Sequence, residues 1–467
     1  MRTLGVLGAG VIGAGWAARF ALMGWRVRVH DPDPEARRKL DAVLEGAGRG
    51  LPMLYEAPMM EHGPVTLCDT LSDAVARAEF IVESVPEHLA LQGRVLAEAQ
   101  AACPPGTVIG SSTSGFKPSD LQTGAPDPAR ILVAHPFNPV YLLPLVELVG
   151  GAAPEATVRA VADILRGVGM HPLPIGKEID AHIADRLLES VWREALWLVR
   201  DGVATTAEID DAIRYGLGLR WGQMGLFETY RIAGGEAGMR HFLGQFGPAL
   251  AWPWSRLTDV PALDDALVET IAAQSDAQAG GRSIRDLERL RDDNLVAMLR
   301  ALKQQGAAAG ALIRAHDDSL RRPLDETAPM VTVRRTVPVD WTDMNGHMNE
   351  GRYGQLFSDA SEALMHHVGA DRAYVEAGNS YFTAETNIRY LAETHAGEAI
   401  FVETTVMQGE GKKLRLWHEM KRADDGTLMA TCDQFMLHVS LVSRRSCPPL
   451  PAVAEAVERL ARAHGAA

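Results

Sequence analysis

The chain has 467 residues, of which 47% are hydrophobic and 23% are charged, and its formal net charge at pH 7 is −14. This length predicts two or three domains, and the composition is that of a globular protein and excludes a fibrous or disordered chain. The acidic balance argues against nucleic-acid and anionic-membrane partners and weakly favours a cationic small molecule through long-range attraction.

The N-terminal residues enter a strand pattern at once, and no run of about 18 uncharged apolar residues occurs in the chain. We therefore expect a cytoplasmic protein with no signal peptide and no membrane-spanning segment. The four cysteines are scattered without metal-ligand spacing, so we expect reduced structural thiols, and no metal site is predicted.

A glycine-rich segment between two apolar strands at the start of the chain predicts a dinucleotide site. Gly8 permits the tight turn from strand to helix, Gly10 lets a pyrophosphate approach the backbone, and Gly13 lets the helix pack against the strand. The free N–H groups at the start of that helix attract phosphate. Asp31 ends the second strand, where a carboxylate binds the adenosine ribose and repels a 2′-phosphate. The predicted cofactor is NAD, bound by Gly8, Ala9, Gly10, Val11, Ile12, Gly13 and Asp31.

Further strand patterns alternate with helical stretches, at Val65–Leu67, Phe80–Val85, Thr107–Ser111 and Ile131–Ala134. This alternation predicts an α/β Rossmann domain over residues 1–178, with a mainly parallel, doubly wound sheet. The carboxyl ends of parallel strands meet at one edge of a sheet. We therefore expect the polar clusters that include Glu87, Ser114 and His135 to face one crevice.

Beyond residue 178 the apolar residues recur at helical spacing, which predicts an all-helical substrate and dimerisation domain over residues 179–315. Its predicted helices include Thr206–Tyr215, Leu263–Ala273 and Ile284–Gln304. A charged, proline-bearing stretch then predicts a linker at residues 316–328.

Strand patterns return after the linker and predict an α+β domain over residues 329–467. Its predicted strands are Val331–Val337, Thr386–Tyr390, Ala399–Met407, Lys413–Lys421 and Leu428–Val439. One long predicted helix, Asn349–Val368, lies between the first strand and the others.

Residues 1 to about 315 resemble the 3-hydroxyacyl-CoA dehydrogenase superfamily. The resemblance rests on the segments Gly8–Gly13, Val85–Glu87, Ser111–Ser114, Ala134–Pro139 and Ile183–Leu188. It implies a Rossmann domain that binds NAD, a helical domain after it, and oxidation of a secondary alcohol.

Oxidation of a secondary alcohol needs a base for the hydroxyl proton, and histidine changes charge near neutral pH. His135, at the end of a strand, is the candidate base, although a histidine taken alone is more often a core or turn residue. The resemblance implies that Glu87 holds the imidazole and that Ser114 binds the substrate oxygen. Alternatively, Glu87 is only a helix-entry acid and Ser114 only a helix cap.

Asp185 departs from the family pattern, which usually has asparagine at this position. An amide donates a hydrogen bond to a substrate oxygen, whereas an ionised carboxylate cannot. The departure argues against an ordinary acyl-CoA substrate and favours a small cationic one, so Asp185 joins the catalytic candidates.

Aromatic residues of the helical domain are a second sign of a cationic substrate. A quaternary ammonium cannot donate hydrogen bonds, so aromatic faces and a nearby carboxylate bind it. The predicted substrate-binding residues are Trp192, Trp221, Phe227, Glu228 and Tyr230. Alternatively, these rings fill the core or a dimer interface. The segment Gly216–Tyr230 closely resembles that of L-carnitine dehydrogenases, which implies oxidation of L-carnitine to 3-dehydrocarnitine with NAD.

The third domain resembles the hotdog-fold acyl-CoA thioesterases, through its strand order and an Asp-x-x-Gly-His-x-Asn motif at 343–349. Thioester hydrolysis needs a carboxylate that attacks or activates water, and donors for the oxyanion. Asp343 is the candidate carboxylate, and the backbone N–H groups of 346–348 are the candidate donors. Alternatively, Asp343 only shapes a turn, Asn349 only caps the helix, and the domain only dimerises.

Together these resemblances imply a bifunctional enzyme, an NAD-dependent L-carnitine 3-dehydrogenase with a thioesterase-like domain. The resemblance implies betainyl-CoA as the acyl-CoA thioester and glycine betaine as its product. Two alternatives stay open: an L-3-hydroxyacyl-CoA or other hydroxyacid dehydrogenase with a fused thioesterase, and a non-catalytic NAD-binding scaffold with a dimerising hotdog domain. Both enzyme families usually pair, so a homodimer is expected.

Overall fold

The computed structural model describes residues 1–57, 59–233, 282–320 and 323–466, with the short stretches 242–243, 254–255, 264–267 and 269–270 and residue 273. The chain divides into two compact units, residues 1–47 with 61–314 and residues 48–60 with 315–467. The finer division into three domains and a linker stays a prediction.

The first unit is built on an eight-stranded sheet. Its strands are β1 (Thr3–Leu7), β2 (Arg26–His30), β3 (Val65–Leu67), β4 (Phe80–Glu83), β5 (Val108–Ser111), β6 (Ile131–Pro136), β7 (Leu145–Val149) and β8 (His171–Ile175). The order across the sheet is β3-β2-β1-β4-β5-β6-β7-β8, and the neighbours are parallel except β6 and β7. The predicted mainly parallel sheet is confirmed, whereas β7 and β8 were not predicted.

The helices described up to residue 305 are α1 (Val11–Leu22), α2 (Ala36–Gly50), α3 (Leu71–Val75), α4 (Leu89–Ala102), α5 (Pro118–Gln122), α6 (Glu155–Gly167), α7 (Ala184–Arg200), α8 (Thr206–Ala212), α9 (Gly218–Ala233) and α10 (Ile284–Gln305). One turn of π-helix, Ile213–Leu217, joins α8 to α9. The predicted helix Leu263–Ala273 lies partly outside the described residues, and its described residues from 265 onward are helical.

The glycine-rich turn between β1 and α1 has the geometry that its sequence predicts. Gly8 has a φ of +95°, in the left-handed region that favours glycine. A Cβ atom on Gly13 would lie 1.9 Å from the carbonyl oxygen of Gly8, so only glycine lets α1 start this close to the strand. A Cβ atom on Gly10 would meet nothing within 4 Å, because Gly10 borders an open crevice.

The second unit contains an antiparallel sheet and a long helix. Its strands are β9 (Met330–Thr336), β10 (Asn379–Tyr390), β11 (Ala399–Glu410), β12 (Lys413–Arg422), β13 (Leu428–Ser440) and β14 (Arg445–Ser446). The order is β10-β13-β12-β11-β9, and β14 pairs with β13. The remaining helices are α11 (Ala308–Leu320), α12 (Glu350–His367), α13 (Arg372–Glu376) and α14 (Pro451–Ala463).

Helix α12 packs its apolar face into the core of the second unit, where Leu356, Phe357 and Ala360 join Val402 and Met420. The predicted α+β fold, its five strands and its long helix are confirmed. Helix α11 continues to Leu320, so the first residues of the predicted linker are helical, and residues 321 and 322 lie outside the described residues. Across the described residues, no helix combines the length and apolar character needed to cross a bilayer.

Candidate active site

His135 lies near the end of β6 and is held on both ring nitrogens. Its side chain is buried, Nδ1 lies 3.0 Å from Glu147 Oε2, and Nε2 lies 3.1 Å from Ser114 Oγ. An ionised carboxylate only accepts hydrogen bonds, so Nδ1 carries the hydrogen, and Nε2 of the neutral ring has the free lone pair. The structure thus brings Ser114 and His135 together, as expected of polar residues that face one crevice, and the binding of a substrate oxygen by Ser114 stays a prediction.

Glu147 on β7 is the carboxylate that orients this histidine, and it is fully buried. Its Oε1 accepts hydrogen bonds from the N–H groups of Ile183 and Ala184, each at 3.0 Å. Burial raises the pKa of Glu147, but the hydrogen bonds from His135, Ala184 and Ile183 outweigh it and hold the pKa below its ordinary value. Glu147 is therefore ionised at neutral pH and connects the histidine to the start of α7.

The expectation that Glu87 holds the imidazole is wrong. The Glu87 carboxylate accepts hydrogen bonds from Thr113 Oγ1 at 2.5 Å and from Gly115 N at 2.7 Å, and so fixes the loop after β5. The antiparallel register of β6 and β7 pairs His135 with Glu147, which places the Glu147 carboxylate beside the ring. One signal in the sequence pointed to Glu147, because it is the single charged residue in the apolar strand Leu145–Val149.

Asp185 and His182 complete the surroundings of the histidine. Asp185 Oδ2, in the first turn of α7, lies 3.6 Å from His135 Nε2. Burial raises the pKa of Asp185 above its ordinary value, although the nearby His135 opposes this effect. His182, which the sequence analysis did not single out, is fully buried, with its ring 5.4 Å from that of His135 and its Nε2 3.2 Å from Thr113 O. The reactive nitrogen therefore faces a hydroxyl and a carboxylate.

Three of the seven predicted cofactor residues line a cavity of about 980 Å³ at the carboxyl ends of the strands. Gly8, Gly10 and Asp31 border it, and Asp31 Oδ2 accepts a hydrogen bond of 2.6 Å from Ala9 N. Lys39 is the one lysine or arginine among the described residues that line this cavity, and Asp33 binds it at 2.5 Å, which neutralises the charge that a 2′-phosphate would need. The glycine turn leaves room for a pyrophosphate, and Asp31 offers a carboxylate to the adenosine ribose. Both features fit NAD.

The predicted ammonium-binding residues lie on α7 and α9. The exposed fractions are 52% for Trp192, 36% for Trp221, 76% for Phe227 and 39% for Tyr230. The Tyr230 ring stacks on Phe242 at 4.7 Å. The side chain of Glu228 lies outside the described part of the chain. These rings do not form a closed cage within the described residues, and their contact with substrate stays a prediction.

Asp343 lies in a tight turn between β9 and α12. Its Oδ1 accepts a hydrogen bond of 2.8 Å from Asn345 N, and its N–H donates to His347 O at 2.9 Å. Asn349 caps α12 by accepting from Gly351 N at 3.0 Å, as the capping alternative predicts.

The prediction of oxyanion donors at 346–348 is wrong for two of the three N–H groups. Gly346 N donates to Asp343 O at 3.0 Å, and Met348 N donates to Thr394 O at 2.7 Å. The N–H groups of Gly346 and Met348 are therefore bonded within the protein and are not directed at a ligand.

Comparison with known protein families gives three matches. The family described as "3-hydroxyacyl-CoA dehydrogenase, NAD binding domain" matches residues 3–179, and "3-hydroxyacyl-CoA dehydrogenase, C-terminal domain" matches residues 182–266. "Thioesterase-like superfamily" matches residues 337–457. These matches agree with the two resemblances drawn from the sequence.

Several relatives cover almost the whole chain. A Ruegeria pomeroyi protein named L-carnitine dehydrogenase/betainyl-CoA thioesterase is 56% identical over 99% of this chain and 96% of its own length. An Agrobacterium fabrum protein of the same name is 51% identical over 98% of this chain and 94% of its own length. An L-carnitine dehydrogenase of Mesorhizobium japonicum is 54% identical and covers 68% of this chain and 88% of its own length.

One solved structure resembles the dehydrogenase part of the chain. It is 5-formyl-3-hydroxy-2-methylpyridine 4-carboxylic acid 5-dehydrogenase, an NAD⁺-dependent dismutase, with 25% identity and a TM-score of 0.52. The similarity covers 65% of this chain and 99% of that chain. A dehydrogenase with another substrate therefore shares this architecture, so the substrate has to be argued from the site.

Proposed function

Because the chain belongs to the family of L-carnitine dehydrogenase/betainyl-CoA thioesterases, we propose that its first unit oxidises L-carnitine to 3-dehydrocarnitine and that its second unit hydrolyses betainyl-CoA to glycine betaine. The family makes it an NAD-dependent oxidoreductase with a thioester hydrolase domain. The observation that carries the first proposal is an oriented base, His135, whose reactive nitrogen has a carboxylate beside it, Asp185, where the superfamily usually has an amide.

The dehydrogenase step uses the geometry around His135. The substrate 3-hydroxyl binds between His135 Nε2 and Ser114 Oγ, which lie 3.1 Å apart. Nε2 takes the hydroxyl proton as the C–H bond at C3 breaks, and the Glu147 carboxylate stabilises the imidazolium that forms. Gly8–Gly13 and Asp31 would hold NAD, which would supply the hydride acceptor. The alcohol becomes a ketone, and one proton remains on His135 for release.

Asp185 gives this site a preference for a cation. Carnitine carries its trimethylammonium group two bonds from the hydroxyl carbon, so a substrate whose hydroxyl binds at His135 Nε2 brings its positive charge close to Asp185. The 3.6 Å between Asp185 Oδ2 and His135 Nε2 fits that arrangement. The burial that raises the pKa of Asp185 means that a cationic ligand stabilises its charged form. Trp192, Trp221, Phe227, Glu228 and Tyr230 are the proposed contributors to the rest of the ammonium pocket.

The thioesterase step is assigned to Asp343. Its carboxylate takes a proton from a water molecule that attacks the acyl carbon, or attacks that carbon itself to form an anhydride that water then hydrolyses. In either case the C–S bond breaks, and the CoA thiolate leaves and takes a proton that comes from the water. The hydrogen bond from Asn345 N holds one carboxylate oxygen. A cationic acyl group is compatible with the acidic balance of the chain, whose net charge is −14.

We also propose that the enzyme is a cytoplasmic homodimer. Helix α7 exposes large apolar residues besides Trp192, with exposed fractions of 55% for Leu187, 60% for Leu188 and 37% for Leu198. Apolar side chains at helical spacing on a surface favour burial against another copy of the chain.

The substrate proposal is tested by the rate of NADH formation with the full-length enzyme. L-carnitine is compared with L-3-hydroxybutyryl-CoA and with 3-hydroxy-5,5-dimethylhexanoate, which has the shape of carnitine without its positive charge. Turnover of carnitine alone is the expected result. Turnover of the CoA ester alone would favour the 3-hydroxyacyl-CoA alternative. Equal turnover of carnitine and of the analogue without the ammonium charge would show that Asp185 does not recognise a cation.

A further inference from the structure

A turn and a neighbouring segment of the second unit bring two histidines and a glutamate together. His347 and His395 face each other in an isolated antiparallel bridge, with ring centroids 5.0 Å apart. Glu393 Oε2 lies 3.3 Å from His347 Nε2. One ligand atom from each of the three side chains lies within 4.8 Å of the other two, and within the described part of the chain no other group of three such residues does so.

The hydrogen bonds around His395 leave one of its nitrogens free to bind a metal ion. Its Nδ1 lies 3.1 Å from Gly346 O, and a carbonyl oxygen only accepts, so Nδ1 carries the hydrogen. The lone pair of the neutral ring is therefore on Nε2. A histidine that donates its other N–H to a backbone carbonyl is the usual arrangement around metal-binding histidines, because the carbonyl fixes the tautomer and the ring orientation.

The backbone supports both sides of the cluster. Met348 N donates to Thr394 O at 2.7 Å, which joins the turn to the segment that contains Glu393 and His395. The side chain of His347 is 34% exposed and that of Glu393 is 70% exposed, so an ion reaches the cluster from solvent and keeps room for water. The ligand positions are therefore held by the fold while the site stays open.

We propose that His347, Glu393 and His395 form a binding site for a divalent transition-metal ion, with Zn²⁺ as the fitting example. Two imidazole nitrogens and one carboxylate oxygen are a donor set that Zn²⁺ accepts, with its fourth position taken by water. The hard cations Ca²⁺ and Mg²⁺ prefer sets made of oxygen alone, so they do not fit. The ion connects the turn that carries Asp343 to the segment before β11, and it stabilises the folded second unit by mass action.

The test is a metal titration of the full-length protein after treatment with a chelator. Co²⁺ serves as the spectroscopic probe, and Zn²⁺ binding is measured by calorimetry. We expect one equivalent per chain, Co²⁺ absorption without a thiolate charge-transfer band, and a higher unfolding temperature of the second unit with Zn²⁺. His395→Ala and Glu393→Gln are each expected to weaken binding by about tenfold or more.

The matched control is His366→Ala. His366 is an exposed histidine whose Nε2 lies 3.8 Å from Glu362 Oε1 on the same helix. Among the described residues, no third metal-binding side chain completes this pair. This variant is expected to bind Zn²⁺ as the wild type does. The unfolding temperature of the second unit without metal, compared with that of the metal-free wild type, checks that the His395→Ala protein is folded, because NADH formation reports only on the first unit. The absence of binding, unchanged affinity in His395→Ala, or a thiolate band from Cys103 or Cys447 would each overturn the proposal.

Discussion

The two proposed catalytic sites differ in how their acid–base groups are held. His135 is bound on both ring nitrogens by side chains from other elements, and its partner Glu147 is itself bound by the start of α7. Asp343 is held by its own turn, through the backbone of Asn345 and His347. The first site depends on the register of a sheet, whereas the second depends on a local turn.

This difference determines whether a substitution affects only the reaction or the stability of the fold as well. Glu147 is fully buried, so removing one of its three donors leaves part of a buried charge without a hydrogen bond, at a cost of about 1–3 kcal/mol. Asp343 is half-buried, and solvent compensates part of any loss. Changes in the first site should therefore affect chemistry and folding together, and changes in the second should affect hydrolysis alone.

The largest effect is expected from His135→Ala. Without the base, NADH formation with L-carnitine should fall by about 10²–10⁴-fold, while the affinity for NAD is retained because the cofactor residues are untouched. Stopped-flow absorbance measures the rate, and NADH fluorescence measures the affinity. His171→Ala, an exposed histidine at the start of β8, is the matched control and should leave both unchanged. Loss of cofactor binding would show that His135 is structural.

Asp343→Asn should act on the second unit alone. Hydrolysis of betainyl-CoA should fall by about 10²-fold or more, because the amide neither activates water nor attacks the acyl carbon. NADH formation and the unfolding temperature should not change. Release of the CoA thiol measures hydrolysis, and Asp424→Asn, at an exposed position, is the control. Unchanged hydrolysis in Asp343→Asn would leave Asp343 as a turn residue.

Asp185→Asn should change the substrate preference of the first site. We expect kcat/KM for L-carnitine to fall by about 10–100-fold, because the amide removes the counter-charge of the ammonium, and kcat/KM for L-3-hydroxybutyryl-CoA to rise. Kinetics with both substrates measure the change. An equal loss for both would show that Asp185 acts on the chemistry and not on the cation.

The same variant should gain stability at neutral pH. Burial raises the pKa of Asp185, so its charged form opposes folding above that raised pKa and has no effect below the ordinary Asp value. Removing the charge should add about 0.5–2 kcal/mol to the free energy of unfolding at pH 7. The gain should shrink as the pH falls through the folded pKa. Thermal unfolding at several pH values measures it, and a gain independent of pH would contradict the electrostatic cause.

The smallest effect is expected from Asn349→Ala. The loss of the cap on α12 should reduce the stability of the second unit by about 1 kcal/mol and leave NADH formation unchanged. Asn349→Ser, which keeps a capping oxygen, should restore most of the loss. Thermal unfolding distinguishes the two variants, and equal stability of both would show that the cap contributes little.

The sequence predicted the elements of the fold that depend on short local patterns. The glycines at 8, 10 and 13 required a strand, a tight turn and a helix, and the structure has all three. In the second unit the alternating strands and the cap at Asn349 predicted the sheet and the start of α12. These features depend on backbone conformation and side-chain periodicity, which short segments encode.

The partner of the base could not be predicted in the same way. The contact between His135 and Glu147 comes from the antiparallel register of β6 and β7, and no local pattern encodes a register between strands. The family resemblance implied Glu87 as the partner, but its carboxylate accepts hydrogen bonds from Thr113 and Gly115. The cluster of His347, Glu393 and His395 was missed for the same reason, since its members come from two segments.

The most direct test compares kcat for L-carnitine in Glu147→Gln and Glu87→Gln. Glu147→Gln should lower kcat by about 10²–10⁴-fold, because the amide no longer stabilises the imidazolium of His135. Glu87→Gln should cause a clearly smaller loss, because Glu87 acts only on the loop after β5. A larger loss in Glu87→Gln than in Glu147→Gln would contradict the central claim that Glu147 orients the catalytic base.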